Sequence, residues 1–287
     1  MGQVYSRTSI CNIVNSIERA KTVRSVEDMF IDDLHNSMEK TAMLSARQPS
    51  KTYKPSGMNC MRMCFYIISG FPIAQESRTS SSIGIADSGT DRHIRIQQAL
   101  EDMRNNGYDL DYLDVETYIK SHGLEDRLNV VGKSGMETKL YMPSLNLSFM
   151  TDGIIKYRDI YYVFEFKTEV MQKFLKRTSV DPGHLSQGTA YSCAFDIPRV
   201  LFLYENRNTC EHKPFVLNVT EDMKEQRIYG FVRNCNKYIE SKIVPPLPTD
   251  PEILKKCRYC QFKALCASHG AASKVVVVPN TETEVKV

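Results

Sequence analysis

The sequence has no apolar run approaching the roughly 20 residues that a membrane-spanning helix needs; Phe65 to Ile68 and Val275 to Val278 are far shorter. A spanning helix is excluded at this level, and a soluble chain is expected. The N-terminus, MGQVYSRTSI, lacks the basic start and apolar stretch of a secretory signal. Charge of one sign is also missing. Thirty-seven Lys and Arg against thirty-four Asp and Glu give +3, too mild to establish a polyanion partner but compatible with a local basic track. No internal repeat is visible. The 42% hydrophobic and 25% charged fractions exclude a wholly disordered or fibrous chain, and 287 residues bury a core without disulfide staples.

What is abundant is cysteine, nine residues and an odd number. Without a secretory start, a reducing cytoplasm is the expected setting, of a bacterial or archaeal cell or a phage-infected host. There, clustered thiols read as metal ligands and scattered ones as small buried apolar side chains. The opening MGQVYS also fits the loose myristoylation pattern through Gly2 and Ser6.

Along the chain, Val26, Met29, Phe30, Leu34, Met38 and Met43 recur at helical spacing and predict a helical arm over 1–56 whose apolar face packs. Lys51 to Gly57 breaks the pattern, and CMRMCFYIISGF from Cys60 predicts a helix or strand beside the core. Gln75 to Ser82 reads as a loop, Thr90 to Asn105 as a long helix after Gly89, and Asp111 to His122 as another. Lys139 to Ile155 and Tyr157 to Lys167 are β-prone runs forming a hairpin about Lys156 to Asp159. Ser186 to Phe195 reads as helix, Val200 to Tyr204 as a buried strand pairing with Phe215 to Val219, and Glu221 to Lys242 as one long helix. A main domain over 57–270 is expected, then an unpartnered, disordered tail over 271–287.

The run SFMTDGIIKYRDIYYVFEFKTE carries the chemistry. It places Asp152 on one strand and Glu165 with Lys167 on the next. Alternation puts Glu165 and Lys167 on one face, with Phe164, Phe166 and Val163 on the other or on the flanks. The charges sit inside an aromatic run built for burial, where carboxylates are costly unless paired or bound to metal. Two carboxylates and an ammonium suit a hard divalent ion, magnesium or manganese, which keeps positions open for water and a substrate phosphate. That is the chemistry of phosphodiester hydrolysis.

These residues resemble the PD-(D/E)XK nucleases, in particular the RecB-like exonuclease branch, through motifs in the correct order over about Cys60 to Cys266. GTDRHIRIQ is similar to that branch's helical element, with Gly89 and His93 in matching positions; Gln97 lies one turn beyond on the same face. GHLSQGTAYSCAF supplies Gln187 and Tyr191, matching the branch's Gln-xxx-Tyr motif. Thr151 stands where the superfamily name has proline, a position carrying no ligand. The resemblance implies an α/β, restriction-endonuclease-like core: a mixed central sheet flanked by helices, with a helical N-terminal arm and a Cys-rich C-terminal segment. It implies that His93, Asp152 and Glu165 hold the divalent ion, Lys167 assists the water, and Gln187 with Tyr191 position the substrate strand. Glu137, in GMETKLY, is a candidate extra acid.

CRYCQFKALC gives Cys257, Cys260 and Cys266. Cys60 is the candidate fourth ligand, with Cys64 one turn away as its rival; the pattern of Cys60, Arg62 and Tyr66 favours Cys60. The arrangement is similar to iron-sulfur RecB-like nucleases, including AddB-type and CRISPR-associated exonucleases, and that resemblance implies a 4Fe-4S cluster stapling the fold. Spacing alone leaves zinc open. Cys11, Cys193, Cys210 and Cys235 are expected to be unligated.

The expected function is therefore a metal-dependent DNA exonuclease acting on single strands or ends, with a recombination, helicase or CRISPR adaptation partner. With no base-reading motif, cleavage is expected to be largely sequence independent. Lys133, Lys139, Lys173, Lys176, Arg177, Lys255, Lys256, Arg258 and Lys263 are candidates to line the phosphate path, and Lys173 to Gly183 is the candidate DNA loop. Two other classes stay open: a non-catalytic zinc-binding assembly or DNA-binding protein, and an RNA-cleaving nuclease of the same fold.

Overall fold

The computed structural model describes residues 25–45, 50–73, 79–134 and 137–279. The myristoylation pattern at Gly2 and Ser6, and Cys11, lie outside them. The chain divides into two compact units, Met1–Ala46 with Gln75–Asp87, and Arg47–Ala74 with Ser88–Val287. The expected break after residue 56 falls earlier: Tyr53, fully buried, bridges to Leu147 within the larger unit.

In the smaller unit, α1 (Val26–Ser45) starts at Ser25, whose hydroxyl accepts from the Asp28 amide at 3.1 Å. Its apolar stripe does not pack as expected, because Val26, Met29, Phe30, Leu34 and Met43 are all exposed. After Cys60 in extended conformation, α2 (Met61–Ile68) buries Arg62, Cys64, Phe65 and Tyr66. α3 (Ser80–Asn105) begins ten residues before the expected Thr90. The Thr79 hydroxyl accepts from the Ser82 amide at 3.3 Å, so the end of the Ser- and Thr-rich stretch is the start of the helix.

The expected helix over Asp111 to His122 is a strand and a shorter helix, β1 (Leu110–Leu113) and α4 (Val115–Ser121). Asp114 divides them by accepting from the Thr117 amide at 2.9 Å. β2 (Asn129–Ser134), β3 (Glu137–Met142) and β4 (Leu147–Thr151) form an antiparallel sheet of their own. β5 (Gly153–Tyr157) and β6 (Ile160–Glu169) make the hairpin, turning through Arg158 and Asp159. The β-prone run from Lys139 to Ile155 thus contributes to three strands divided between two sheets.

α5 (Met171–Leu175) and α6 (Leu185–Phe195) carry the chain from β6 to its parallel neighbour β7 (Arg199–Asn206), and β8 (His212–Asn218) pairs antiparallel with β7 as expected. The five-stranded mixed sheet has the order β1-β5-β6-β7-β8. The fold is mixed α/β, a mixed sheet flanked by helices. Phe164 and Phe166 join Ile96, Leu110 and Ile155 in one core cluster, while Val163, Ala190, Ala194, Phe202 and Tyr204 belong to the other. Val163 therefore lies with Glu165 and Lys167, as strict alternation requires, and not with the phenylalanines.

The long helix expected over Glu221 to Lys242 is interrupted. α7 (Glu221–Lys224) passes through a π turn, Glu225–Tyr229, into α8 (Gly230–Glu240). A Cβ on Gly230 would lie 2.8 Å from the Glu225 carbonyl oxygen, so glycine permits the wide turn there. β9 (Ile243–Val244), α9 (Pro251–Lys256) and α10 (Lys263–His269) follow, and β10 (Lys274–Val275) pairs with β9. The segment from 271 expected to be unpartnered thus has a partner up to its short strand, and Val276 and Val278 pack on the core.

Candidate functional site

The chain leaves β4 at Thr151 and enters β5, in the other sheet, at Gly153. Asp152 occupies the one residue between them, not a strand as the sequence suggested. It is only 5% exposed. Its Oδ2 accepts from the Phe166 amide at 2.7 Å, and its Oδ1 lies 3.1 Å from Nδ1 of His93 on α3. Glu137, at the start of β3, brings Oε1 to 3.7 Å from the same nitrogen. His93, Glu137 and Asp152 form a group whose ligand atoms all lie within 4.8 Å of one another, and it can hold a metal ion. The extra acid suspected in the sequence is therefore in the group. Glu165 is not in that trio, although it was expected to be.

Glu165 stands beside it on β6, 2% exposed. Its Oε1 accepts from Lys167 Nζ at 2.5 Å and from Gln187 Nε2 at 2.8 Å, while Oε2 is buried with no hydrogen-bond partner among the described residues. Burial, with the nearby Asp152 charge, pushes the Glu165 carboxyl up to about 7. Burial pulls Lys167 down, but Glu165 outweighs it and leaves the ammonium above its ordinary value. His93 follows the same logic: burial lowers it, and the Asp152 hydrogen bond and charge, helped by Glu165 and Glu137, raise it overall. Burial followed by Asp152 raises Glu137. Acids that resist ionising together around one imidazole are what a cation would relieve.

Gln187 and Tyr191, one turn apart on α6, do converge on the site, but inward. Gln187 also reaches the Tyr191 hydroxyl at 2.7 Å, and that hydroxyl donates to the Met150 carbonyl at 2.7 Å. Tyr191 is 2% exposed. The expected strand-positioning role is corrected for Tyr191, which braces Glu165 and β4; Gln187 stays partly open. The glycine ahead of His93, Gly89, lies inside α3 and not before it.

The candidate DNA loop is likewise committed to internal pairing. Arg177 holds Glu169 through two bonds of 2.6 Å and Asp181 at 2.8 Å, with its guanidinium over the Tyr204 ring. Lys173 pairs with Asp181 at 2.7 Å. Lys133 pairs with Asp114, and Lys255 with Glu252. These charges are paired with neighbouring carboxylates.

Cys60, Cys257, Cys260 and Cys266 line one cavity of about 350 Å³, together with Arg62, Tyr66 and Phe262. Among the described residues none of the four is joined in a disulfide, and burial raises Cys60, with Cys260, Cys257 and Cys266 adding to the rise. Cys64, the rival, is buried elsewhere and its thiol meets the Gly57 carbonyl at 3.5 Å. Cys193 and Cys235 are buried and Cys210 exposed, outside the cavity. Arg62, 1% exposed, spans from α2 to the C-terminal segment: it donates to the carbonyls of Pro245 at 2.6 Å, Gly270 at 2.5 Å and Ala272 at 3.0 Å, and meets the Cys266 sulfur at 3.5 Å.

Tyr112 was missed altogether. Its hydroxyl bonds the Asp152 carbonyl, beside Gln97; reading 111–122 as a helix hid the alternation of LDYL that marks the strand.

No protein-family model and no curated protein sequence matches the chain. Among solved structures, the chain is similar to SSO0001, with 16% identity over 80% of this chain and 95% of that one and a TM-score of 0.43. A likeness of that degree carries no weight for function, which rests on the site itself. Among the described residues, no helix is long and apolar enough to cross a membrane.

Proposed function

We propose that this protein is a metal-dependent DNA exonuclease of the PD-(D/E)XK superfamily, RecB-like branch. The observation that carries the reading is the buried Oε2 of Glu165, unpartnered beside the His93, Glu137 and Asp152 group. An orphaned buried carboxylate oxygen is costly, and a cation is the partner that such a donor set selects. The set is imidazole and carboxylate, which suits magnesium or manganese. When bound, such an ion lowers the pKa of a bound water and neutralises charge building on the phosphoryl oxygens.

The chain's own residues do the rest. His93, Glu137 and Asp152 supply ligand atoms, with Glu165 completing the set. Lys167, held as ammonium by Glu165, donates toward the phosphate or orients the attacking water; its raised pKa makes it a donor and not a base. Gln187 fixes Glu165 from α6 and keeps an open edge for the strand.

For the cysteines, the reading is a 4Fe-4S cluster. Around zinc, with bonds of about 2.3 Å, tetrahedral thiolates stand about 3.8 Å apart. Here no three cysteine sulfurs among the described residues gather within 4.8 Å, while the cavity they share is about 350 Å³. That space suits a multinuclear group better than one ion. Cys60, Cys257, Cys260 and Cys266 would hold it, joining α2 to the C-terminal segment.

The test is digestion of end-labelled DNA and RNA strands by anaerobically purified protein with Mn²⁺, alongside Lys167→Ala. Expected is Mn²⁺-dependent shortening of DNA from an end, lowered at least about 100-fold in the variant, in line with loss of a transition-state donor, with DNA binding kept. Undiminished cleavage by Lys167→Ala removes the mechanism. Preference for RNA selects the ribonuclease reading, and binding without any cleavage selects the assembly-protein reading.

A further inference from the structure

Asp152 is held at both its ends. The Phe166 amide takes Oδ2 at 2.7 Å, which leaves Oδ1 as the atom turned to His93. The main-chain carbonyl stands between two sheets and outside both ladders, so it needs donors from elsewhere. It receives two: Gln97 Nε2 at 2.7 Å and the Tyr112 hydroxyl.

Neither donor is there for its own comfort. Gln97 is 1% exposed, and its Oε1 is buried with no hydrogen-bond partner among the described residues. Burying half an amide unsatisfied is costly, and the bond from Nε2 to the Asp152 carbonyl is what the side chain gains there. Tyr112 reaches the carbonyl only because residue 153 is glycine. At Gly153, φ is +148°, and a Cβ would fall 2.6 Å from the Tyr112 hydroxyl and 2.7 Å from its ring. The left-handed backbone and the missing side chain therefore both serve this approach. His93 and Gln97 lie one turn apart on α3, so a single helix face takes hold of the carboxylate and of the carbonyl of the same residue.

Resting on the divalent-ion reading of the site, we infer that Gln97 and Tyr112 are positioning residues that aim Oδ1 of Asp152 at the cation. They touch neither the cation nor the substrate, and act through the orientation of the Asp152 backbone. Partners behind a ligand are typically worth 10–100-fold in metal affinity.

The test is Mn²⁺ titration of the full chain by calorimetry, with thermal unfolding of the metal-free protein as the control. Tyr112→Phe keeps the ring and removes only the hydroxyl; it is expected to weaken Mn²⁺ binding about 10-fold while the protein stays folded. Gln97→Met is expected to do the same, and it decides the matter if Tyr112→Phe does not fold. Wild-type Mn²⁺ affinity in the folded variants overturns the inference, including the case where only the unfolding midpoint falls, since that is a structural role alone. A wild-type protein that binds no Mn²⁺ overturns the divalent-ion reading, and this inference with it.

Discussion

Arg62→Met offers the sharpest single test of how the cysteine cavity is built. Methionine keeps a flexible apolar stem of similar reach and removes the guanidinium. Every acceptor that Arg62 reaches is a backbone carbonyl or the Cys266 sulfur; no carboxylate pairs with it among the described residues. Of the carbonyls, only that of Pro245 belongs to a buried residue, while Gly270, Ala271 and Ala272 are exposed and water can replace the lost donor. The loss is therefore not a sum over five contacts but about 2–3 kcal/mol, the worth of one or two charge-assisted bonds. At about 2–4 °C per kcal/mol for a chain of this size, the unfolding midpoint should fall by about 4–12 °C. The charge adds a second discriminant. Beside four thiolates and a metal group the buried cation gains a Coulombic partner that four neutral thiols do not supply, so its removal costs more in the metal-loaded form. Calorimetric melts of anaerobic protein before and after chelation, with iron, zinc and sulfide analysis, measure both. The expected result is a larger loss in the metal-loaded form, with less metal retained. An unchanged midpoint and unchanged metal content in Arg62→Met would refute the reasoning.

Two more outcomes follow from buried charge. Glu165 has a folded-state pKa of about 7, above its ordinary 4.5, so the metal-free fold binds the extra proton and loses stability as pH rises through that window; Glu165→Gln should melt higher than wild type at pH 8 and equally near pH 4.5, and a constant difference across pH would sink the assignment. Arg177→Ala should destabilise by about 1.5–3 kcal/mol, because it removes the two charged bonds to the buried carboxylate of Glu169 and leaves Lys173, at 3.1 Å, as its ion-pair partner; chemical denaturation checks it, and a loss of DNA affinity at full stability would instead restore the loop as a DNA contact.

Much of the site was legible because its spacings are local. Glu165 and Lys167 two apart on a strand, and His93 with Gln97 or Gln187 with Tyr191 four apart on helices, are consequences of backbone periods. Asp152 was found but misplaced, since β-prone residues continue on both sides of it while the chain changes sheets. The extra acid, Glu137, was visible only as a charge in a strand pattern. The arm was legible as a helix, yet its apolar stripe did not reveal that it would remain exposed.

The amino-acid order by itself determined the helices that carry His93, Gln187 and Tyr191, the strand face shared by Glu165 and Lys167, and the cysteine triplet, because each depends on geometry within a few residues. Only the tertiary structure decided that Tyr112 and Gln97 meet at one carbonyl, that Tyr191 turns inward, that Arg62 clasps the C-terminal segment, and that Cys60 shares a cavity with Cys257, Cys260 and Cys266. Those pairings join residues far apart in the chain, and which of them form depends on how sheets and helices stack, a choice no local period encodes.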